Sequence, residues 1–169
     1  WYRIRIPDNN DFPIFVWHFH VYFNQHDASQ VHKAISIRNA LVDSLNDADR
    51  AFVAVPLHHF ERDSNQVQCR TLAHHGLNMK PVGPHPTGSF ETWVPIESFS
   101  AAFEWFTSNR AGLSVLVHPL TVQEMRDHTL HAVWMGQPQA LNLQYLDEEL
   151  PTVPLQYPHF GLGYSAGAK

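Results

Sequence analysis

The 169-residue chain has a single cysteine, Cys69, so no internal disulfide can brace it. Lysine and arginine number 11 against 16 acidic residues, a formal charge of −5, and no basic run interrupts the sequence. A surface that grips nucleic-acid phosphates or an anionic membrane needs such a run, so neither partner is expected. No apolar stretch approaches the length of a membrane span, and no secretory leader precedes the first strand. These absences predict a soluble, cytoplasmic protein. Because the first residue is Trp1 rather than Met, the natural start is expected upstream. Also missing are a GxSxG elbow, a Walker loop, a GxGxxG turn and an HExxH helix, which removes α/β-hydrolases, P-loop enzymes, Rossmann dehydrogenases and zincin proteases.

What the sequence has in excess is histidine: 13 residues, roughly three times ordinary usage. Where they fall depends on the elements. FVWHFHVYF (15–23) is aromatic and β-branched, a strand with Phe19, Val21 and Phe23 on one face and His18, His20 and Tyr22 on the other. Asp27 followed by Gln30 reads as a helix N-cap, and Val31, Ala34, Ile35, Arg38, Leu41, Val42 and Leu45 recur at helical spacing, giving a helix over about 28–46. Residues 51–60 carry a proline that restricts them to a short or edge strand. SFETWVP (89–95) is a third strand. Phe99, Ala102, Phe103 and Phe106 mark a second helix that runs out before Gly112, and LSVLVHP (113–119) is a fourth strand. A short helix is predicted over 122–134 and an edge strand at LNLQYL (141–146). The order strand, helix, strand, strand, helix, strand matches an α+β, ferredoxin-like split βαβ sandwich with an antiparallel sheet. The predicted division is an N-terminal arm (1–16), one domain (17–146) and a proline-rich, extended C-terminal tail (147–169).

With the first and third strands placed as parallel neighbours and the fourth antiparallel beside the first, His18 and His20, His85 and His118 are brought to one end of the sheet. If the helices cover the Phe19 face, the histidine face is open, free to form a cleft with the tail or with a second subunit, and a homodimer is expected. Three neutral imidazoles leave open positions on iron, zinc or copper, since imidazole serves all three. Glu91, on the His85 strand at even spacing, could add a carboxylate. The plainer reading is that these histidines are satisfied polar groups at strand ends. His26, His32 and His159 read as solvated. The adjacent pairs His58-His59 and His74-His75 lack ligand spacing. His128 and His131 share a helix face, where His128 could act as a general base, while Asp127 points elsewhere.

Four motifs in this order, HVYF (20–23), PVGPHPTGSFE (81–91), NRAGLSVLVHPLT (109–121) and DHTLHAVWMG (127–136), resemble the DOPA 4,5-dioxygenase family of fungi and bacteria over about residues 17–143. The resemblance implies a ferredoxin-like fold and the opening of a catechol ring, that of L-DOPA or a related phenol, by dioxygen at a non-haem iron(II), in secondary metabolism. It implies that His20, His85 and His118 are the metal-site histidines and that His128 is an acid/base or substrate-binding histidine; His18 joins His128 as a candidate catalytic group. The expected ligands are therefore a small aromatic substrate, dioxygen and Fe(II), with Zn or Cu as alternatives. Two other classes fit the same scaffold: an isomerase, cyclase or lyase using the histidines only as acids and bases, and a binding protein without turnover.

Overall fold

Strict alternation along one strand organises the whole molecule. A computed structural model describes residues 13–44, 53–55 and 77–166. Its strand β1 (Val16–Phe23) lies at the centre of a five-stranded sheet, between β3 (Gly88–Pro95) and β4 (Ser114–Pro119); β2 (Val53–Val55) and β5 (Val133–Met135) flank them in the order β2-β3-β1-β4-β5. The strand Phe19, Val21 and Phe23 face meets helix α1 (Ala28–Ser44) and helix α2 (Phe99–Asn109) in one apolar core that includes Ile37, Leu41, Ala102 and Phe106. Phe19 and Phe106 stack at 5.0 Å. The ferredoxin-like α+β reading therefore holds.

Helix α1 begins where Asp27 predicts. Its Oδ1 accepts the backbone N–H of Ser29 at 2.9 Å and of Gln30 at 3.3 Å, and the Gln30 amide donates back to Oδ2 at 3.0 Å. The side chain thus satisfies amides that no helical carbonyl can reach. Helix α2 ends before Ala111 and Gly112, both in the left-handed region, which turn the chain into β4.

Three expectations are corrected. First, β1 and β3 are antiparallel, with Val16 opposite Pro95 and Phe23 opposite Gly88. β2 pairs antiparallel with β3, and the α1 crossover leaves β2 parallel to β1, so β3 opposes β1. The start of β1 therefore meets the ends of both β3 and β4. Second, the helix predicted over 122–134 is one turn, α3 (Glu124–Asp127), and Val133–Met135 pair with β4 as β5. The β-branched and aromatic Val133-Trp134-Met135 complete the open edge of β4, a tertiary demand that overrides weak helical periodicity. Third, LNLQYL forms a 3-10 turn at Leu143–Tyr145 rather than an edge strand, with the Asn142 N–H bonded to the Pro84 carbonyl.

The histidine face is not open either. Residues following β4 fold back over it: Val16 and Trp93 pack with Leu120, Tyr157, Leu162 and Tyr164, and Tyr164 donates its hydroxyl hydrogen to the Leu120 carbonyl at 2.7 Å. Among the described residues it is the chain's own tail that forms the cleft over the histidine face. Gly163 fixes this covering, because at φ +58° an added Cβ would lie 2.7 Å from Val16 Cγ2 and 2.9 Å from the Phe15 carbonyl oxygen. No helix among the described residues is long and apolar enough to cross a membrane. Residues 1–12, most of the expected arm, and 56–76, with Cys69, His58, His59, His74 and His75, lie outside the described residues.

Candidate active site

Because side chains alternate along a strand, His18, His20 and Tyr22 leave β1 on the side away from the helices. Register then adds the neighbours: His118 of β4 lies beside His18, and Glu91 of β3 lies opposite His20. His85 arrives by a different route from the one expected. It closes a tight turn in which Val82 and His85 exchange backbone hydrogen bonds at 3.0 and 3.1 Å, and Pro81, Pro84 and Pro86 stiffen that turn. The turn places the ring 4.2 Å from His20, centroid to centroid, although β3 starts at the far end of β1. The ring of His128, the residue after α3, lies 3.9 Å from that of His118, centroid to centroid, tilted by 37°.

Five histidines, Glu91, Glu124 and Asp127 thus line one half-open cavity of about 180 Å³. His18, His20, His85, His118 and Glu91 are each at most 5% exposed. Their hydrogen bonds are specific. The His20 and His118 Nε2 atoms are 3.0 Å apart, His18 Nε2 lies 2.9 Å from the Gln156 side-chain oxygen, and the Tyr22 hydroxyl lies 2.7 Å from His85 Nδ1. Glu91 comes within 3.6 Å of His18 Nε2 and 3.9 Å of His20 Nε2.

Burial keeps these rings neutral. It pulls the His18 imidazole down to about 4, against the opposing pull of the Gln156 hydrogen bond, and that of His85 down to about 3, with the neighbouring His128 and His18 adding to the effect. His20 and His118 are driven well below the ordinary histidine range, first by burial and then by mutual repulsion among the rings. His128 is lowered by burial, partly offset by its bond to the Glu124 carbonyl. Burial also raises the Tyr22 phenol, so it stays protonated.

Neutral imidazoles are the form that binds metal, and this set fits a metal on its own chemistry. The Nδ1–H of His118 donates to the Pro119 carbonyl at 2.7 Å and that of His128 to the Glu124 carbonyl at 2.9 Å, the usual outer support of a ligating ring, which leaves a lone pair on each Nε2, that of His118 meeting His20 Nε2. Nδ1 of His20 is buried with no hydrogen-bond partner. Ligand-atom spacing sorts the rings into two overlapping triples, His18–His20–His118 and His20–His85–His128, each within 4.8 Å. His20 belongs to both, whereas His85 and His118 fall in different ones.

Of the residues singled out from sequence, the chain brings His18, His20, His85, His118, His128 and Glu91 together. His131 stays outside the cluster, with Nδ1 3.1 Å from Asp127 Oδ1. Asp127 is buried, and its Oδ2 accepts the backbone N–H and the hydroxyl of Thr121. Two contributors were missed. Tyr22 carried the signal of sharing the His18 and His20 face; Gln156 carried none, standing 138 residues from His18 in an aperiodic tail.

Residues 17–145 match the profile of the Dopa 4,5-dioxygenase family. A DOPA 4,5-dioxygenase of Amanita muscaria is 43% identical over 152 residues, 90% of this chain, and the chain spans 58% of that relative's length. An uncharacterised 21.2 kDa protein of Botryotinia fuckeliana is 45% identical over 38% of this chain and 39% of its own. The crystal structure of a candidate dioxygenase from Nostoc punctiforme superimposes with a TM-score of 0.58 at 27% identity, covering 78% of this chain and 90% of that one.

Proposed function

The chain belongs to the Dopa 4,5-dioxygenase family, and from that premise we propose that it is an extradiol-type dioxygenase, an oxidoreductase that opens the ring of a catechol or related phenol with dioxygen at a mononuclear iron(II). The observation that carries this reading is the convergence of five neutral imidazoles and a carboxylate on one cavity in a chain matched to that family. His20 would anchor the metal site, completed either by His18 and His118 or by His85 and His128, with Glu91 in reach of His18 and His20. Bound there, iron(II) supplies the Lewis acidity and electron exchange that ring opening by dioxygen requires.

The rest is the work of the chain's own groups. His128, neutral and with Nδ1 anchored on the Glu124 carbonyl, presents Nε2 as the base that takes a proton from a catechol hydroxyl. Its fixed ring keeps that nitrogen aimed without further ordering. Leu146, Leu150 and Pro154 form an apolar wall that narrows access of water and accepts an aromatic ring. An isomerase, cyclase or lyase in which the histidines act only as acids and bases draws no support of its own from the family match.

Anaerobic reconstitution of the purified chain with iron(II), followed by L-DOPA and other catechols in air, tests the proposal. Oxygen uptake should accompany a new visible absorption from a ring-opened product, and both should vanish in His118→Ala. Iron binding with no oxygen uptake on any catechol would overturn it.

A further inference from the structure

Each neutral imidazole in the cluster carries its single hydrogen on one nitrogen and a lone pair on the other. What a ring turns toward the cavity is therefore set by the partner of its other nitrogen. For His118 and His128 that partner is a backbone carbonyl. A carbonyl can only accept, so Nδ1 holds the hydrogen and Nε2 turns a lone pair inward.

His85 differs from both. Its Nδ1 lies 2.7 Å from the Tyr22 hydroxyl, a group that can donate or accept. The phenol decides which. Tyr22 is 2% exposed, and His85 is the hydrogen-bond partner of its hydroxyl among the described residues. Were Nδ1 the donor, the phenolic hydrogen would be buried without an acceptor, a costly arrangement that native structures avoid. With the phenol donating, both groups are satisfied. Rotation of the phenol away is also hindered, since its ring lies 5.3 Å from that of Trp134.

We propose that Tyr22 is a positioning residue that donates to Nδ1 of His85, so that His85 turns an N–H rather than a lone pair into the cavity and serves as a hydrogen-bond donor to an oxygen of the bound substrate or of dioxygen. This rests on the metal-dependent reading above and sharpens it: the metal then falls to the triple His18–His20–His118, and His18 and His85 exchange the roles the family resemblance gives them. His18 suits the ligand role because its bond is to the Gln156 side chain, which a bound ion can displace, and because Glu91 stands 3.6 Å away. The assignment also sets a neutral donor beside the base His128, with ring centroids 6.2 Å apart.

The decisive measurement needs neither metal nor turnover. Long-range proton–nitrogen spectra of the metal-free chain with ¹⁵N-labelled histidine, with the His85 signals identified by their loss in His85→Gln, should show His85 protonated at Nε2 and His118 and His128 at Nδ1. In Tyr22→Phe, His85 should leave the Nε2–H form while His118 keeps its own. In zinc(II) titrations, His85→Gln and Tyr22→Phe should bind as tightly as the unmodified chain, and His18→Ala should weaken binding by at least the roughly 10–100-fold that loss of a supporting group costs. An Nδ1–H form of His85 in the unmodified chain overturns the proposal, as does loss of zinc binding in His85→Gln as severe as in His118→Ala. An unmodified chain that binds no metal would instead sink the reading of the site as a metal centre, leaving the spectra to judge the Tyr22–His85 bond by themselves.

Discussion

The two faces of β1 are equally buried and chemically opposite. Phe19, Val21 and Phe23 are at most 1% exposed against α1 and α2, while His18, His20 and Tyr22 are at most 5% exposed against the tail and the His85 turn. Removing the first set from water is favourable in itself. Removing the second is favourable only while each imidazole stays neutral and hydrogen-bonded. One strand therefore holds a stabilising half and a conditional half, and the conditional half carries the chemistry.

Truncation on each side should separate these roles most sharply. Phe19→Ala is expected to lower stability by about 3–5 kcal/mol, read from denaturant midpoints, with metal affinity of the remaining folded protein unchanged. His118→Ala should reverse the pattern, losing metal while the far-ultraviolet dichroism is retained. If Phe19→Ala weakened metal binding as much, the faces would not be independent.

Acid should expose the conditional half next. The folded-state values of His18 and His85, about 4 and about 3, lie below the 6.5 of an unperturbed histidine. Between those values the unfolded chain binds protons that the folded chain refuses, so stability rises with pH. It is fully present above about 6.5 and declines as pH falls toward 4 and 3. Thermal melts of the metal-free protein should show this fall, and His18→Gln should lessen it; a midpoint flat from neutral pH to 4 would contradict the assignment.

A smaller effect belongs to the covering of the histidine face. Gly163→Ala forces a left-handed residue and a close contact with Val16, and about 1–3 kcal/mol is expected. The loss should come with faster proteolysis within 147–166, and unchanged cleavage there would show that the tail is held by other means. Least of all, Asp27→Ala on the opposite side should lower the denaturant midpoint slightly, through loss of the α1 cap, and leave metal binding untouched.

Much of this contrast could be read before the structure. Period-two alternation in FVWHFHVYF separated the faces, Asp27 and Gln30 marked the start of α1, and PHP and VHP placed two further histidines at element ends. Strand direction was misread, so His85 was brought to the cluster for the wrong reason: it depends on the Val82–His85 turn folding back, a matter of backbone geometry that residue type only hints at. Gln156 and the tail were illegible because coverage of a sheet by an irregular segment leaves no periodic trace. The single turn of α3 was overcalled because pairing with β4 outweighed local preference.

The bond between His18 and Gln156 also fixes an order of events. It joins residues 138 apart, and that between His20 and His118 joins residues 98 apart. Contacts of such separation carry a larger loop-closure cost than those within a helix or between adjacent elements. During synthesis the aromatic side of β1 can find α1 almost at once, whereas its imidazoles must wait, exposed, for most of the chain to leave the ribosome. The cluster is thus complete only once the tail that carries Gln156 is in place.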